Sequence, residues 1–214
     1  MALPLTLTGM GYLIWLEPSS EEFKKVSRQF TDSWCKKKGS CPQVLSVLAV
    51  VNPAVEDALN AYRRTLPRRH SGTEMYFHGT SLDCTLDQYQ TLCTGSKCGV
   101  CGISRRGFLL EQINGGRFQR FGQGFYLAPN SSKSHSYCSK PRFVNYTAML
   151  LCEVAPGKKH TLRRNTTSLQ GPPHGCHSVY GKSKFLFLKG DLNYDEIVIF
   201  NPAAICPRYV LLYS

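Results

Sequence analysis

The stretch from Phe121 to Tyr137, FGQGFYLAPNSSKSHSY, sets a glycine-flanked apolar strand in front of a serine-rich loop that ends on an aromatic ring. Gly122 and Gly124 allow a tight turn or a close approach of the backbone to a ligand, and Phe125-Tyr126-Leu127-Ala128 reads as a short buried strand. Pro129-Asn130-Ser131 breaks that strand. Beyond the break, Lys133, Ser134 and Tyr137 share one loop or short helix, where a cation, a hydroxyl and a ring can face a flat polar ligand from one side. Taken alone, a glycine-aromatic strand also serves as ordinary core.

Two other stretches add to this one. Tyr76-Phe77-His78-Gly79-Thr80 is a short apolar strand ending on a histidine and a glycine, and Tyr194-Asp195-Glu196-Ile197-Val198-Ile199-Phe200 puts an acid at the mouth of another. Together the three resemble the catalytic domain of the poly(ADP-ribose) polymerase family, the diphtheria-toxin-like ADP-ribosyltransferases. The family carries a His-Gly-Ser/Thr strand, a Gly-x-Gly-aromatic-Tyr strand followed by a serine and a tyrosine, and a Glu-Ile-Val-like strand. The interval from Tyr126 through Ser134 to Tyr137 also resembles the family's.

The resemblance implies an NAD site. In it His78, Tyr126 and Glu196 form the catalytic set, with His78 and Thr80 on the adenosine ribose and Glu196 on the nicotinamide ribose. Gly79 and Ser134 bond the carboxamide, Tyr137 stacks on the ring and Tyr126 packs its opposite face, an arrangement that aromatic faces favour. Lys133 steadies Glu196 or the diphosphate. The implied reaction cleaves the bond between nicotinamide and ribose and passes ADP-ribose to a protein or nucleic-acid acceptor. An RNA 2'-phosphotransferase of the same fold, and a silent module binding NAD, ADP-ribose or nucleic acid, are the competing readings.

At 214 residues with 42% hydrophobic content, the chain is long enough for one well-buried domain, expected to span 1–214. Its 26 Lys and Arg against 14 Asp and Glu give +12, enough to attract nucleic acid, an acidic protein or a phosphate-bearing ligand. No apolar run reaches the roughly 18 residues a membrane helix needs, and the apolar first sixteen residues read as a strand and not as a signal peptide.

Ten cysteines, with sequons at Asn130, Asn145 and Asn165, would suit a secreted protein. Against that, Cys84, Cys93, Cys98 and Cys101 stand at metal-ligand spacing, with Cys98-x-x-Cys101 the tightest pair, so 84–101 reads as a structural-zinc insertion in an intracellular, reducing setting. His70 is a substitute ligand, and reduced core cysteines or a disulfide are the alternatives. An insertion of this kind departs from the best-known family members.

Along the chain, Tyr12 to Leu16 reads as a strand, and Ser19 with Glu22 as a capping box. Phe23, Val26, Phe30 and Trp34 then make the buried stripe of a helix. Val44 to Val51 reads as a buried strand, with a second helix from Asn52-Pro53 to Tyr62 and a basic linker from Arg63 to Arg69. Gly102 to Ile113 reads as a helix stopped by Gly115-Gly116, and Thr147 to Val154 as a long strand. His160 to Lys184 reads as a surface excursion, and Phe185 to Leu188, Glu196 to Phe200 and Tyr209 to Tyr213 as the last strands. Many short strands with few helices argue for a mixed α+β domain built on antiparallel sheet. Nothing before residue 70 has the length of a helical regulatory domain, so activity without DNA-break stimulation is expected.

Overall fold

The structure, a computed structural model, describes residues 11–35, 40–86, 91–113, 119–184 and 190–214. It is α+β. In chain order the elements are β1 (Tyr12–Trp15), α1 (Glu21–Asp32), β2 (Val44–Val51), α2 (Pro53–Thr65), β3 (Glu74–His78) and α3 (Gly99–Arg106), then β4 (Phe125–Leu127), α4 (Ser131–His135), β5 (Thr147–Val154), β6 (Lys159–Leu162), β7 (Ser178–Gly181), β8 (Glu196–Ile199) and β9 (Ile205–Tyr213). One sheet runs β1-β2-β9-β5-β3 and the other β4-β8-β7-β6, and every pairing between these strands is antiparallel except β6 with β7.

Strands β5 and β9, eight and nine residues long, lie side by side inside the first sheet. They are apolar on both faces because both faces are covered. Leu150, Val210 and Leu212 belong to the cluster that also takes α3, while Met149, Leu151 and Leu211 pack with Val26 and Phe30 of α1. Helix α1 is capped by Ser20, whose Oγ accepts from the Phe23 N–H at 3.2 Å. The cap is one residue later than the expected Ser19, because a turn from Glu17 to the Ser20 N–H brings the second serine to the helix mouth, and Glu22 instead accepts from the Tyr209 hydroxyl at 2.7 Å.

Two other expectations need correction. The helix expected over Gly102 to Ile113 begins at Gly99 and stops at Gly107, whose φ of 74° is left-handed backbone that ends a helix readily. The expected stop at Gly115-Gly116 lies outside the described residues, as does the strand expected at Phe185 to Leu188. The excursion from His160 to Lys184 contains β6 and β7; only four residues long each and paired in parallel, they carry no alternating pattern to read.

Asn52 does two jobs at the head of α2. Its Oδ1 accepts from the Val55 N–H at 3.3 Å, while its Nδ2 donates to the Ser104 and Arg105 carbonyls at 3.2 and 3.0 Å, clipping the end of α3 to the start of α2. Asn52→Ala removes cap and clip together and is expected to cost about 2 kcal/mol in chemical denaturation. A loss below about 0.5 kcal/mol would mean that water replaces the clip.

Candidate active site

The two sheets meet where Phe77 and Ala128 exchange backbone hydrogen bonds of 2.8 and 2.9 Å. That junction sets His78, the last residue of β3, against Tyr126 of β4. His78 Nδ1 donates to the Tyr126 carbonyl at 2.9 Å, so in the neutral ring Nε2 is left as an acceptor. Burial pushes the imidazole below its ordinary value, more than the Tyr126 bond raises it, which favours the neutral form. The ring stands edge-on to Phe108, with centroids 5.0 Å apart, and Phe108 stands edge-on to Phe125 in turn.

A cavity of about 720 Å³ opens beside this junction, and all eight residues expected to form the NAD site line it. Gly79 must be glycine here, since a Cβ would run into the Ser134 carbonyl. The buried Ser134 hydroxyl donates to the Phe77 carbonyl at 2.9 Å. Tyr126 presents its ring to the cavity while its hydroxyl, donating to the Gly122 carbonyl and accepting from the Phe121 N–H, both at 2.9 Å, is fixed to the turn before the strand. Burial pushes that phenol up to about 12, so it is no acid-base group.

Glu196, at the start of β8, has a side chain only 4% exposed. Its Oε2 lies 3.2 Å from Lys133 Nζ, and its buried Oε1 has no hydrogen-bond partner. Lys133 also donates to the Tyr137 hydroxyl at 2.9 Å, with its ammonium 4.8 Å from that ring's centre. Burial pulls the ammonium down, but Tyr137 and the Glu196 carboxylate outweigh it and leave Lys133 above its ordinary value. Of the two roles open to Lys133, the geometry takes it to Glu196. Tyr137 keeps 47% exposure at the rim.

The four expected cysteines also converge. Cys84, Cys93, Cys98 and Cys101 have sulfur atoms all within 4.8 Å of one another, with Cys84 3.7 Å from Cys98 and 3.6 Å from Cys101. Four thiolates around one zinc at the usual bond length of about 2.3 Å stand about 3.8 Å apart, close to the separations of Cys84 from Cys98 and Cys101, so the donor set suits a metal. The Cys101 thiol pulls Cys98 down to about 5 against its burial, helped by the Asp83 N–H that donates to its sulfur at 3.4 Å. His70 sits in the 3-10 turn Arg68–His70 and is not part of this group.

The poly(ADP-ribose) polymerase catalytic-domain model matches residues 20–214. The chain belongs to this family. Human poly [ADP-ribose] polymerase 2 is 32% identical over 117 residues, covering 42% of this chain and 20% of that protein. Human protein mono-ADP-ribosyltransferase PARP4 is 30% identical over 121 residues, covering 54% and 7%. Chicken protein mono-ADP-ribosyltransferase PARP3 is 28% identical over 169 residues, covering 78% and 26%. The match spans at most about a quarter of the length of each of these relatives. No helix among the described residues is long and apolar enough to cross a membrane.

Sequence reasoning missed two groups at this family site. Phe108 falls within the helix expected over Gly102 to Ile113, which gives it no part in the site, yet its ring stands against His78. Asp195, seen only as context for Glu196, accepts from Tyr180 Oη, Lys182 Nζ, Ser183 N–H and Ser183 Oγ at 2.6 to 2.8 Å, fixing the chain where β8 begins. Its partners lie on a stretch without periodicity, so no pattern pointed to them. Burial raises Asp195, but these bonds prevail and hold it at about 2. A depressed carboxylate stabilises the fold above its unfolded value of 3.8, and that stability is lost as pH falls from 3.8 toward 2. Asp195→Asn is therefore expected to lose about 1–2 kcal/mol at pH 6, after allowance for solvent screening, and much less near pH 2. Urea melts at the two values measure it, and equal losses at both would remove the charge from the account.

Proposed function

We propose that this chain is an NAD-dependent ADP-ribosyltransferase that cleaves the nicotinamide-ribose bond and passes ADP-ribose to a protein side chain. The observation that carries the reading is the buried, unpartnered Oε1 of Glu196 at the cavity wall. A buried carboxylate oxygen without a donor is costly unless a ligand supplies one, and a ribose hydroxyl is such a donor.

NAD lies along the cavity with its adenosine ribose at His78 Nε2 and Thr80. The carboxamide meets the Gly79 backbone and Ser134 Oγ, which accepts from the amide N–H while its own proton stays on Phe77. Tyr137 covers one face of the nicotinamide and the Tyr126 ring the other. Lys97, Arg106 and Arg120 also line the cavity and supply positive charge for the diphosphate. These three were not foreseen.

As the ribose C1'–nitrogen bond breaks, its electron pair leaves with nicotinamide, which becomes neutral, and positive charge builds on the ribose. Glu196, held by Lys133, is already in place beside that charge, so little reorganisation is needed in the transition state. The acceptor oxygen forms the new bond to C1', and its proton passes to Glu196 and on to water.

Cys84, Cys93, Cys98 and Cys101 would hold a zinc as a structural clamp, with no ligand role left over for catalysis. Such a clamp would steady one wall of the cavity, because Ser81 Oγ donates to the Lys97 carbonyl at 2.6 Å and accepts from the Gly99 N–H at 3.2 Å. The ten unpaired cysteines support a reducing, intracellular setting.

Two measurements test these readings. Glu196→Gln is expected to lower kcat for nicotinamide release at least about 100-fold, while His78→Ala chiefly raises KM for NAD. Folded protein that binds NAD but neither releases nicotinamide nor labels an acceptor would return the silent-module reading. Metal analysis should find one zinc per chain, lost in Cys98→Ser with a lower Tm; purified chain free of zinc ends the clamp.

A further inference from the structure

The end of α2 and the chain that follows form a second pocket, sharing no lining residue with the NAD cleft. Arg63 and Arg64 stand in the last turn of the helix, buried Leu66 anchors the reversal, and Pro67 leads into the 3-10 turn that carries Arg68. The resulting cavity of about 430 Å³ is lined by Asn60, Arg63, Arg64, Leu66, Arg68 and Ser71. Arg63 is held in place, its Nε donating to the Ser71 carbonyl at 3.0 Å.

No acid answers these charges. The ion pairs among the described residues include none of the three arginines, and no carboxylate lines the pocket. The helix dipole accounts for cations in the last turn of α2. It does not account for Arg68, nor for the positive charge continuing beyond the pocket. There, His70 is held below its ordinary value by desolvation and then by neighbouring Arg69, Lys158 and His177.

We propose that this surface binds the phosphate backbone of nucleic acid. Three guanidiniums around one open cavity, extended by Arg69 and Lys158, match a ligand with several regularly placed phosphates better than one with a single anionic group. The pocket lining holds no aromatic ring to stack a base, so contact is with the backbone and sequence plays little part. The site lies at the Glu74 end of β3, a strand of five residues whose other end is His78. A bound strand therefore leaves the NAD cleft open.

The test uses fluorescence anisotropy of the full chain with labelled single-stranded RNA and duplex DNA, each about 20 nucleotides or base pairs long, across a salt series. Binding is expected to weaken with salt. Replacing Arg64 and Arg68 together by glutamine should weaken RNA binding at least about tenfold and flatten its log-log salt slope by about 1.4. Neither residue touches the cleft, so nicotinamide release and Tm should be unchanged in this variant, and saturating NAD should not displace the oligonucleotide. Whichever probe binds tighter identifies the form of nucleic acid. Affinity unmoved by the double substitution, displacement by NAD, or binding of a phosphoserine peptide with no binding of either oligonucleotide would each overturn the proposal.

Discussion

The pair of hydrogen bonds between Phe77 and Ala128 is the constraint on which the rest of the cleft depends. It joins the first sheet to the second, and the residues on either side of it are those that face the cavity. The same Phe77 carbonyl takes the Ser134 proton, and the next side chain, His78, takes the carbonyl of Tyr126. Three elements are thus registered by neighbouring polar contacts around one backbone junction. A shift of one residue there would turn His78 to the opposite face of β3, because strand side chains alternate.

Glu196 is a buried carboxylate whose charge is balanced from one side only. Lys133 meets Oε2 and leaves Oε1 without a donor, which is costly unless something outside the chain supplies one. Its neighbour Asp195 is in the opposite condition, with four donors and no unfilled role. One residue therefore pins the strand end while the next lines the cavity. Burial on both faces of β8 supplies the remaining rigidity, since Ile197, Val198 and Ile199 are all buried.

The α+β class and most strands were legible because β2, β5, β8 and β9 are long or strongly apolar, and because Asn52-Pro53 is a clear helix start. The cleft residues were legible through family resemblance and not through periodicity, which sees only that Phe125 to Ala128 is apolar. What could not be read depends on contacts distant in the chain. Ser19 and Ser20 are equal as caps until the Glu17 turn chooses between them, and β6 is a strand only through its pairing with β7, which β8 holds on its other side. Phe108 lies past the glycine that ends α3, so the helix expected through Ile113 does not show that its ring stands against His78.

The cysteine group shows how a local cluster acts on a site it does not touch. Cys98 is the cap residue of α3, and the next residue, Gly99, is so close to Thr80 that a Cβ would strike its hydroxyl. Ser81 holds the same turn through its hydroxyl and through its carbonyl, which accepts from the Val100 N–H at 3.0 Å. The segment that follows His78 and Gly79 is therefore fitted to the cysteine turn at two consecutive residues, Thr80 by close approach and Ser81 by hydrogen bonds. Without a metal the Cys98 thiol is pulled down by Cys101 while Cys84 and Cys101 are pushed up, and the group is joined by weak sulfur hydrogen bonds. A divalent metal would replace those bonds with four strong ones, and the rigidity it added would pass into the wall at Thr80.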